Sequence, residues 1–378
     1  MNAPLTVRSN RPDPGAAQPR HSIPAAARRL LLAALLGCVG SLGAQAQEDR
    51  ATEDIRWTPV APGVEVALPS HDGRFNDGNS IRIVTADGVV LVDPPTNPDV
   101  TDGWIRRTQS EGRSVRLVLA THWHSDHHQT ASRVLEAFPE AHFVGHRLLQ
   151  TQIESEVAAD HQARLERLEN QVPAAKAALE KGEGLSGDPL SEEQQEAQRA
   201  AIAAAERWLA ANVDVTFVSP SMGIAGPATF RIGEVQLEAH LFRAHTDGDL
   251  VVLLPSHGVA LTGDLLDELP FVGHGAPRAW LETLREIHHW PAHTFVPGHG
   301  APFGKEQIHK VRGFLEDLVE VVDAARSAGE SLDELVGRVP EMPPFRRHRE
   351  VLASDDVARR FYDGTLEAAV RAAWREAE

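Results

Sequence analysis

Residues 121–128 read Thr-His-Trp-His-Ser-Asp-His-His. His122, His124, Asp126 and His127 crowd four metal-binding side chains into six residues. They directly follow Val115–Ala120, a continuous apolar run of the kind expected of a strand buried on both faces. In a loop leaving a strand, side chains two apart share a side, so His122 and His124 can converge on one cation. Asp126 and His127 lie further round the turn and can reach a second. Imidazole and carboxylate donors suit Zn²⁺. Three later segments also end expected strands with such residues: Ala244-His245-Thr246-Asp247-Gly248-Asp249, Leu261-Thr262-Gly263-Asp264 and Pro297-Gly298-His299-Gly300. A single His after a strand is most often an ordinary surface or core residue. Three such segments following the first cluster point to one shared centre, because strand-end loops on a rigid scaffold are where reactive groups concentrate.

The elements that must position these residues are legible as short β-rich runs separated by turns. Val64–Leu68, Ile81–Thr85 and Val89–Asp93 come first, with Thr85-Ala86-Asp87-Gly88 as a hairpin turn. Helix is expected over Thr101–Ser110 and Ser132–Phe138, with a short strand at His142–Val144. From Leu148 to Ala211 the pattern is helical. Val157, His161, Leu165, Leu168 and Val172 mark one face, and Ser191 with Gln194 forms a capping box for a second helix. Strands resume at Val213–Val218, Phe230–Ile232, Val235–Leu241, Leu250–Leu254, Val259–Thr262 and Thr294–Val296. Pro277–His289 is helical, as is most of the chain after Gly304, with breaks near Gly329 and Pro340–Pro344. Two groups of strands with helices around them imply an α/β fold of two sheets with helices outside. The expected divisions are 1–46, 47–312 with the helical hairpin 148–211 inserted, and a C-terminal helical extension over 313–378.

Composition narrows the function. The chain has 378 residues, 42% hydrophobic and 24% charged, which suits a globular protein. Its formal net charge of −17 argues against non-specific binding to nucleic acid or to anionic lipid. Cys38 is the one cysteine, so neither an intrachain disulfide nor a cysteine-rich zinc site can form. Arg28-Arg29, the apolar run Leu30–Leu42 and Ala44-Gln45-Ala46 have the order of a secretory signal, with cleavage expected after Ala46. Leu35-Leu36-Gly37-Cys38 also resembles a lipobox, which would anchor the protein to a membrane through a lipidated Cys38, and Arg28-Arg29 could serve a twin-arginine signal. The expected location is therefore periplasmic or secreted, and the expected partner a small molecule. The Glu-rich faces of the hairpin would repel a second copy, which favours a substrate-limiting cap or a plain appendage over a dimer contact.

The motif His122-x-His124-x-Asp126-His127 and the A-H-T-x-G-D, T-G-D and P-G-H segments, in that order, resemble the metallo-β-lactamase-fold hydrolase superfamily. The resemblance runs from about Val64 to Gly304. It implies a four-layered αββα sandwich with the site at one edge of the sheets. It also implies that His122, His124 and His245 bind one metal, that Asp126, His127 and His299 bind another, and that Asp264 bridges the two. Asp93, in Val-Asp-Pro-Pro, matches a position that supports the ligands. The implied chemistry is hydrolysis at a carbonyl carbon or a phosphorus by a hydroxide held between two Zn²⁺ ions, with Asp126 both a ligand and the group that orients the attacking water.

The details discriminate among members. With no cysteine after Cys38, the β-lactamases that use cysteine on the second metal are excluded. The three-histidine, Asp-His-His β-lactamases share every ligand here except Asp264. A bridging aspartate is the pattern of glyoxalase II-type thioesterases, lactonases and phosphodiesterases. His124 stands where flavodiiron relatives carry Glu. The family's usual Gly-Gly is replaced by His128-Gln129-Thr130, with His128 expected as a bystander rather than a seventh ligand. The sequence-level reading is an exported dinuclear zinc hydrolase of a small ester, lactone, thioester or amide, including β-lactams. The alternatives are a mononuclear iron enzyme resembling persulfide dioxygenases and a non-catalytic metal-binding module.

Overall fold

The computed structural model describes residues 55–71 and 73–378, together with the backbone of a four-residue strand, β1 (Thr6–Ser9). The expected signal, Cys38 and the Ala46 cleavage site lie outside the described residues. Among the described residues no helix is long and apolar enough to cross a membrane.

The chain folds as two units. The larger comprises Asp54–Ile153 and Phe217–Glu378 with β1, and Glu154–Thr216 belongs to the smaller. In the larger unit, β2 (Arg56–Ala61), β3 (Val64–Leu68), β4 (Ser80–Thr85), β5 (Gly88–Val92), β6 (Val115–Leu119), β7 (His142–His146) and β8 (Met222–Ile224) form one sheet in that order. β2 to β5 are antiparallel, while β5 to β8 run parallel. The second sheet has the order β1, β9 (Ala228–Ile232), β10 (Val235–Phe242), β11 (Asp249–Leu254), β12 (Val259–Gly263) and β13 (Thr294–Pro297). Only its last pair, β12 with β13, is parallel.

The period-2 pattern of these strands decides what packs where. On β11, Leu250, Val252 and Leu254 join Val90, Val92, Leu117 and Leu119 of the first sheet in one cluster, so the two sheets meet face to face. Val251 and Leu253 point the other way, into a cluster with helices α6 (Pro277–His288), α7 (Glu306–Ser327), α8 (Leu332–Arg338), α9 (Pro343–Leu352) and α10 (Asp356–Glu376). Each such side chain contributes about 1.5–3 kcal/mol when fully buried. On the first sheet's outer side, Trp104 of α1 (Pro98–Ser110) is buried and donates to Ser80 Oγ of β4 at 3.2 Å. α2 (Ala131–Ala137) packs beside α1. The order is thus helix, sheet, sheet, helix.

The smaller unit is the helical hairpin. A short helix, α3 (Leu149–Gln152), leads through one π-helical turn into α4 (Ala158–Leu179), and α5 (Glu192–Asn212) follows. The capping box of Ser191 and Gln194 is formed. Val172, Ala175 and Ile202 make the small core between α4 and α5.

Three expectations need correction. Val213–Val218 is irregular rather than a strand, because Val213 N–H and Val215 N–H are spent on Leu209 O and Asn212 O at the end of α5. β2 went unrecognised. Its Pro59 is tolerated because β2 is a sheet edge, where the register slips between Pro59 and Ala61. The division at 312/313 falls inside α7, and Ile308, Val311, Phe314 and Leu315 on both sides of it share one core, so the C-terminal helices continue the domain.

Candidate metal centre

Parallel pairing brings the reactive loops together. β5 and β6 end in register at Val92 and Leu119, so Asp93 and the His122 loop leave the first sheet side by side. β12 and β13 end together at Gly263 and Pro297, which delivers Asp264 and His299 from the second. Leu250 N–H donates to Thr121 O at 2.7 Å and ties the two edges across the sandwich. Two glycines make the approach possible. Gly263 has φ +50°, and a Cβ there would lie 2.6 Å from Thr121 Oγ1. A Cβ on Gly298 would lie 1.9 Å from Asp264 Oδ1, inside that carboxylate.

All seven residues singled out in the sequence are assembled there. His122, His124, His245 and Asp264 form one group of donor atoms, and Asp126, His127 and His299 another. Asp264 faces both. Its Oδ2 is 3.6 Å from His122 Nε2, 3.4 Å from His245 Nε2 and 3.3 Å from His299 Nε2, while Oδ1 is 3.1 Å from His127 Nε2. Asp126 Oδ2 lies 3.3 Å from His299 Nε2 and 3.6 Å from His127 Nε2.

Each imidazole is oriented through its other nitrogen. His245 Nδ1–H donates to Phe271 O at 2.9 Å, and His299 Nδ1–H to Arg74 O at 2.8 Å and Asp77 O at 3.0 Å. His127 Nδ1–H donates to Asp93 Oδ2 at 3.0 Å. His122 Nδ1–H donates to Thr121 Oγ1 at 3.1 Å, whose hydroxyl donates in turn to Asp93 Oδ2 at 2.8 Å. Asp93 therefore anchors one histidine of each group, in the role the family resemblance gave it. It holds φ +53°, the one positive φ outside glycine among the described residues, and such strain persists only where the surroundings over-determine it.

With those nitrogens committed, the donor atoms facing inward carry lone pairs. His122 Nε2, His127 Nε2 and Asp264 Oδ1 are buried without a hydrogen-bond partner. His245 Nε2 and His124 Nδ1 face each other at 3.1 Å. Buried polar atoms are rarely left unpaired, and lone pairs converging on one point are what a cation satisfies. The donor set fits metal binding.

The charges divide the histidines: His122 and His124 are ready to bind a cation, whereas His127 and His299 hold a proton that a cation would displace. Burial, with neighbouring imidazoles, holds His122 and His124 well below the usual histidine range, so they stay neutral. Burial also opposes charge on His127 and His299, but Asp264 and the carboxylates beside it outweigh that and raise both well above the ordinary value. Burial pushes Asp264 and Asp126 upward, yet the surrounding histidines pull both well below the carboxylate range.

Comparison with known proteins adds the family. Residues 73–197 match the metallo-beta-lactamase superfamily. No curated protein matches the sequence. Among solved structures, the metallo-beta-lactamase from Pontibacter korlensis is 16% identical with a TM-score of 0.47, over 69% of this chain and 99% of its own. A metallo-beta-lactamase from Erythrobacter litoralis is likewise 16% identical, with a TM-score of 0.47, over 70% of this chain and 97% of its own. The stereoselective inverting sec-alkylsulfatase Pisa1 from Pseudomonas sp. is 16% identical with a TM-score of 0.56, over 85% of this chain and 50% of its own.

The centre also draws on positions that the sequence motifs gave no role. Asp267 joins Asp264 and His299 in a third donor group, and its Oδ1 accepts from His299 N–H at 3.0 Å. Burial and the nearby Asp264 push its carboxyl well above the carboxylate range. Asp249, quoted with its motif but given no role, accepts from Ala244 N–H, Thr246 N–H and Thr246 Oγ1–H and so shapes the turn that carries His245. Burial pushes it up to about 7. Arg74, which offers its carbonyl to His299, is buried and paired with Glu268 at 3.0 Å and Asp355 at 2.7 Å. His128 is buried, and its Nε2–H donates to Trp123 O at 3.0 Å.

Proposed function

We propose that this protein is an exported dinuclear zinc hydrolase that cleaves a small ester, lactone, thioester or amide, β-lactams included. The observation that carries the reading is Asp264, whose one carboxylate lies within 3.6 Å of histidines of both donor groups. Two zinc ions at such a centre act as Lewis acids and ionise a water near neutral pH. His122, His124 and His245 would hold one ion, Asp126, His127 and His299 the other, and Asp264 both. Asp126 is the most exposed of the four acidic and imidazole groups of its neighbourhood, with 21% of its side chain accessible against 5% for Asp264. On this reading it orients an attacking water.

The test is a panel of one lactone, one thioester, one phosphodiester, one β-lactam and one sec-alkyl sulfate, run on zinc-loaded and chelator-stripped protein. Turnover of at least one substrate that vanishes on stripping and returns with zinc supports the reading. Turnover restored by iron(II) but not zinc supports the mononuclear iron alternative, and no turnover with two metals bound supports a non-catalytic module. Export rests on the sequence of residues 28–46, and the N-terminus of protein recovered from its native envelope tests it. Gln47 would support simple cleavage, a lipidated Cys38 the anchored form, and an intact Met1 neither.

A further inference from the structure

Four of the five histidines in the centre lean on a backbone carbonyl, or on Asp93 directly or through Thr121. His124 alone leans on another imidazole. Its Nε2 lies 2.8 Å from Nδ1 of His274, in the loop between the turn after Asp264 and α6. His124 Nδ1 points the other way, at His245 Nε2. With Nδ1 of His124 turned to a metal, its proton must sit on Nε2, so Nδ1 of His274 accepts. A neutral His274 then carries its own proton on Nε2, which has no hydrogen-bond partner among the described residues in a side chain that is partly exposed.

The ring is held firmly. Trp123 packs against it at 5.1 Å between centroids and Phe271 at 5.4 Å, nearly edge-on. Its loop is pinned by Arg375 Nη2 donating to Gly273 O at 2.8 Å and by Ala276 N–H donating to Ala244 O, next to His245, at 2.8 Å. Trp123 and Phe271 are themselves partly exposed. A fixed N–H donor between two partly exposed aromatic rings is a place for an acceptor oxygen attached to a flat or apolar group.

We infer that His274 fixes His124 for metal binding by accepting its Nε2–H, and thereby presents its own Nε2–H to an oxygen of a substrate whose apolar group lies between Trp123 and Phe271. The donor role rests on the hydrolase reading above, whereas the positioning role does not.

Two independent measurements test it. Long-range ¹H–¹⁵N correlation spectra of the zinc-loaded protein should show His274 protonated on Nε2 alone, and a proton on Nδ1 would overturn the positioning role. Zinc affinity and hydrolysis of p-nitrophenyl phenylacetate are then compared in two variants. His274→Phe keeps a ring and should weaken one of the two zinc steps about 10-fold or more, the usual effect of losing a ligand's supporting partner. His274→Asn puts an amide oxygen near the place of Nδ1 and should recover most of that affinity, while the Michaelis constant for the ester stays raised about 10-fold for want of the Nε2–H. Wild-type zinc affinity in His274→Phe would defeat the positioning role. A wild-type Michaelis constant in His274→Asn would defeat the donor role. A protein that hydrolyses nothing on the panel would count against the hydrolase reading, and the spectra and zinc affinities would still decide the positioning role.

Discussion

The hairpin Glu154–Thr216 and the C-terminal helices α7 to α10 are both long, charged and helical, yet they are held in different ways. The hairpin's own core is three buried side chains of modest size, Val172, Ala175 and Ile202. The C-terminal helices bury Phe314, Leu315, Leu318, Phe345, Tyr362 and Val370 in the same cluster as Phe295 and Val251 of the second sheet. They also reach the metal centre. Asp355, the N-cap of α10, pairs with Arg74, whose carbonyl orients His299. Phe75 stacks on Phe361 at 4.5 Å, and Arg375 holds the loop of His274. A helical period says that a segment has an apolar face, but the size of the side chains on that face says how much core it shares.

The largest effect should come from ending the chain at Ser354. This removes α10, Asp355 and Arg375 together, and uncovers the face around Phe314 and Phe345 that Tyr362, Leu366 and Val370 cover. Loss of the cooperative thermal transition and of both zinc ions is expected. A truncated protein that melts cooperatively with two zinc ions would show the C-terminal helix to be an extension after all.

Arg74→Ala should come next, at about 2 kcal/mol. That is less than the 3–5 kcal/mol for breaking a fully buried pair, because Glu268 and Asp355 keep contact with water. Denaturant unfolding measures it. Zinc titration should show one of the two binding steps affected more than the other, since Arg74 and Asp77 offer their carbonyls to His299 alone among the five histidines.

Acid should separate the two regions more gently. In the hairpin, burial and Arg164 hold His161 below its ordinary 6.5, although its bond to Asn212 O opposes this. The unfolded chain therefore takes up that proton first, so the contribution of His161 is complete above pH 6.5 and is lost as pH falls below it. For Asp355, burial acts upward, but Ala358 N–H, Arg74 and His71 pull it below 3.8. Its contribution is complete above about pH 4 and is lost only in stronger acid. Corrected for the intrinsic exchange rate, amide protection should fall between pH 7 and 5 in α4 and α5, with no matching change at the start of α10. An equal fall in both would erase the distinction.

The smallest effect should follow replacement of Glu154–Thr216 by a Gly-Ser linker, because no donor atom of the centre lies in that segment. Two bound zinc ions and an unchanged main thermal transition are expected. A lower Michaelis constant or a broader substrate range would mark the hairpin as a cap, and unchanged kinetics as an appendage.

Much of this was legible in the sequence because the strands are short, almost wholly apolar, and end at the reactive residues. Val115–Leu119 is followed at once by the His122 loop, and Val259–Gly263 by Asp264, so pattern and chemistry reinforce one another. β2 was hidden by Pro59 and by polar residues facing outward at an edge. The Val213–Val218 alternation was real, but the backbone there closes a helix instead of pairing. Arg74, Asp267 and His274 had no spacing to betray them. Their roles arise from contacts across the chain, such as Arg74 with Asp355 and His124 with His274, which no local pattern encodes.

The central claim is that Asp264 joins two metal sites, and zinc content measured beside the Asp264→Ala variant tests it most directly. The account predicts close to two zinc ions per wild-type chain. It predicts no more than one in the variant, with at least ~10²-fold less turnover on any substrate the panel identifies, as befits loss of a metal-held catalytic geometry. Two tightly bound zinc ions and undiminished turnover in Asp264→Ala would contradict it.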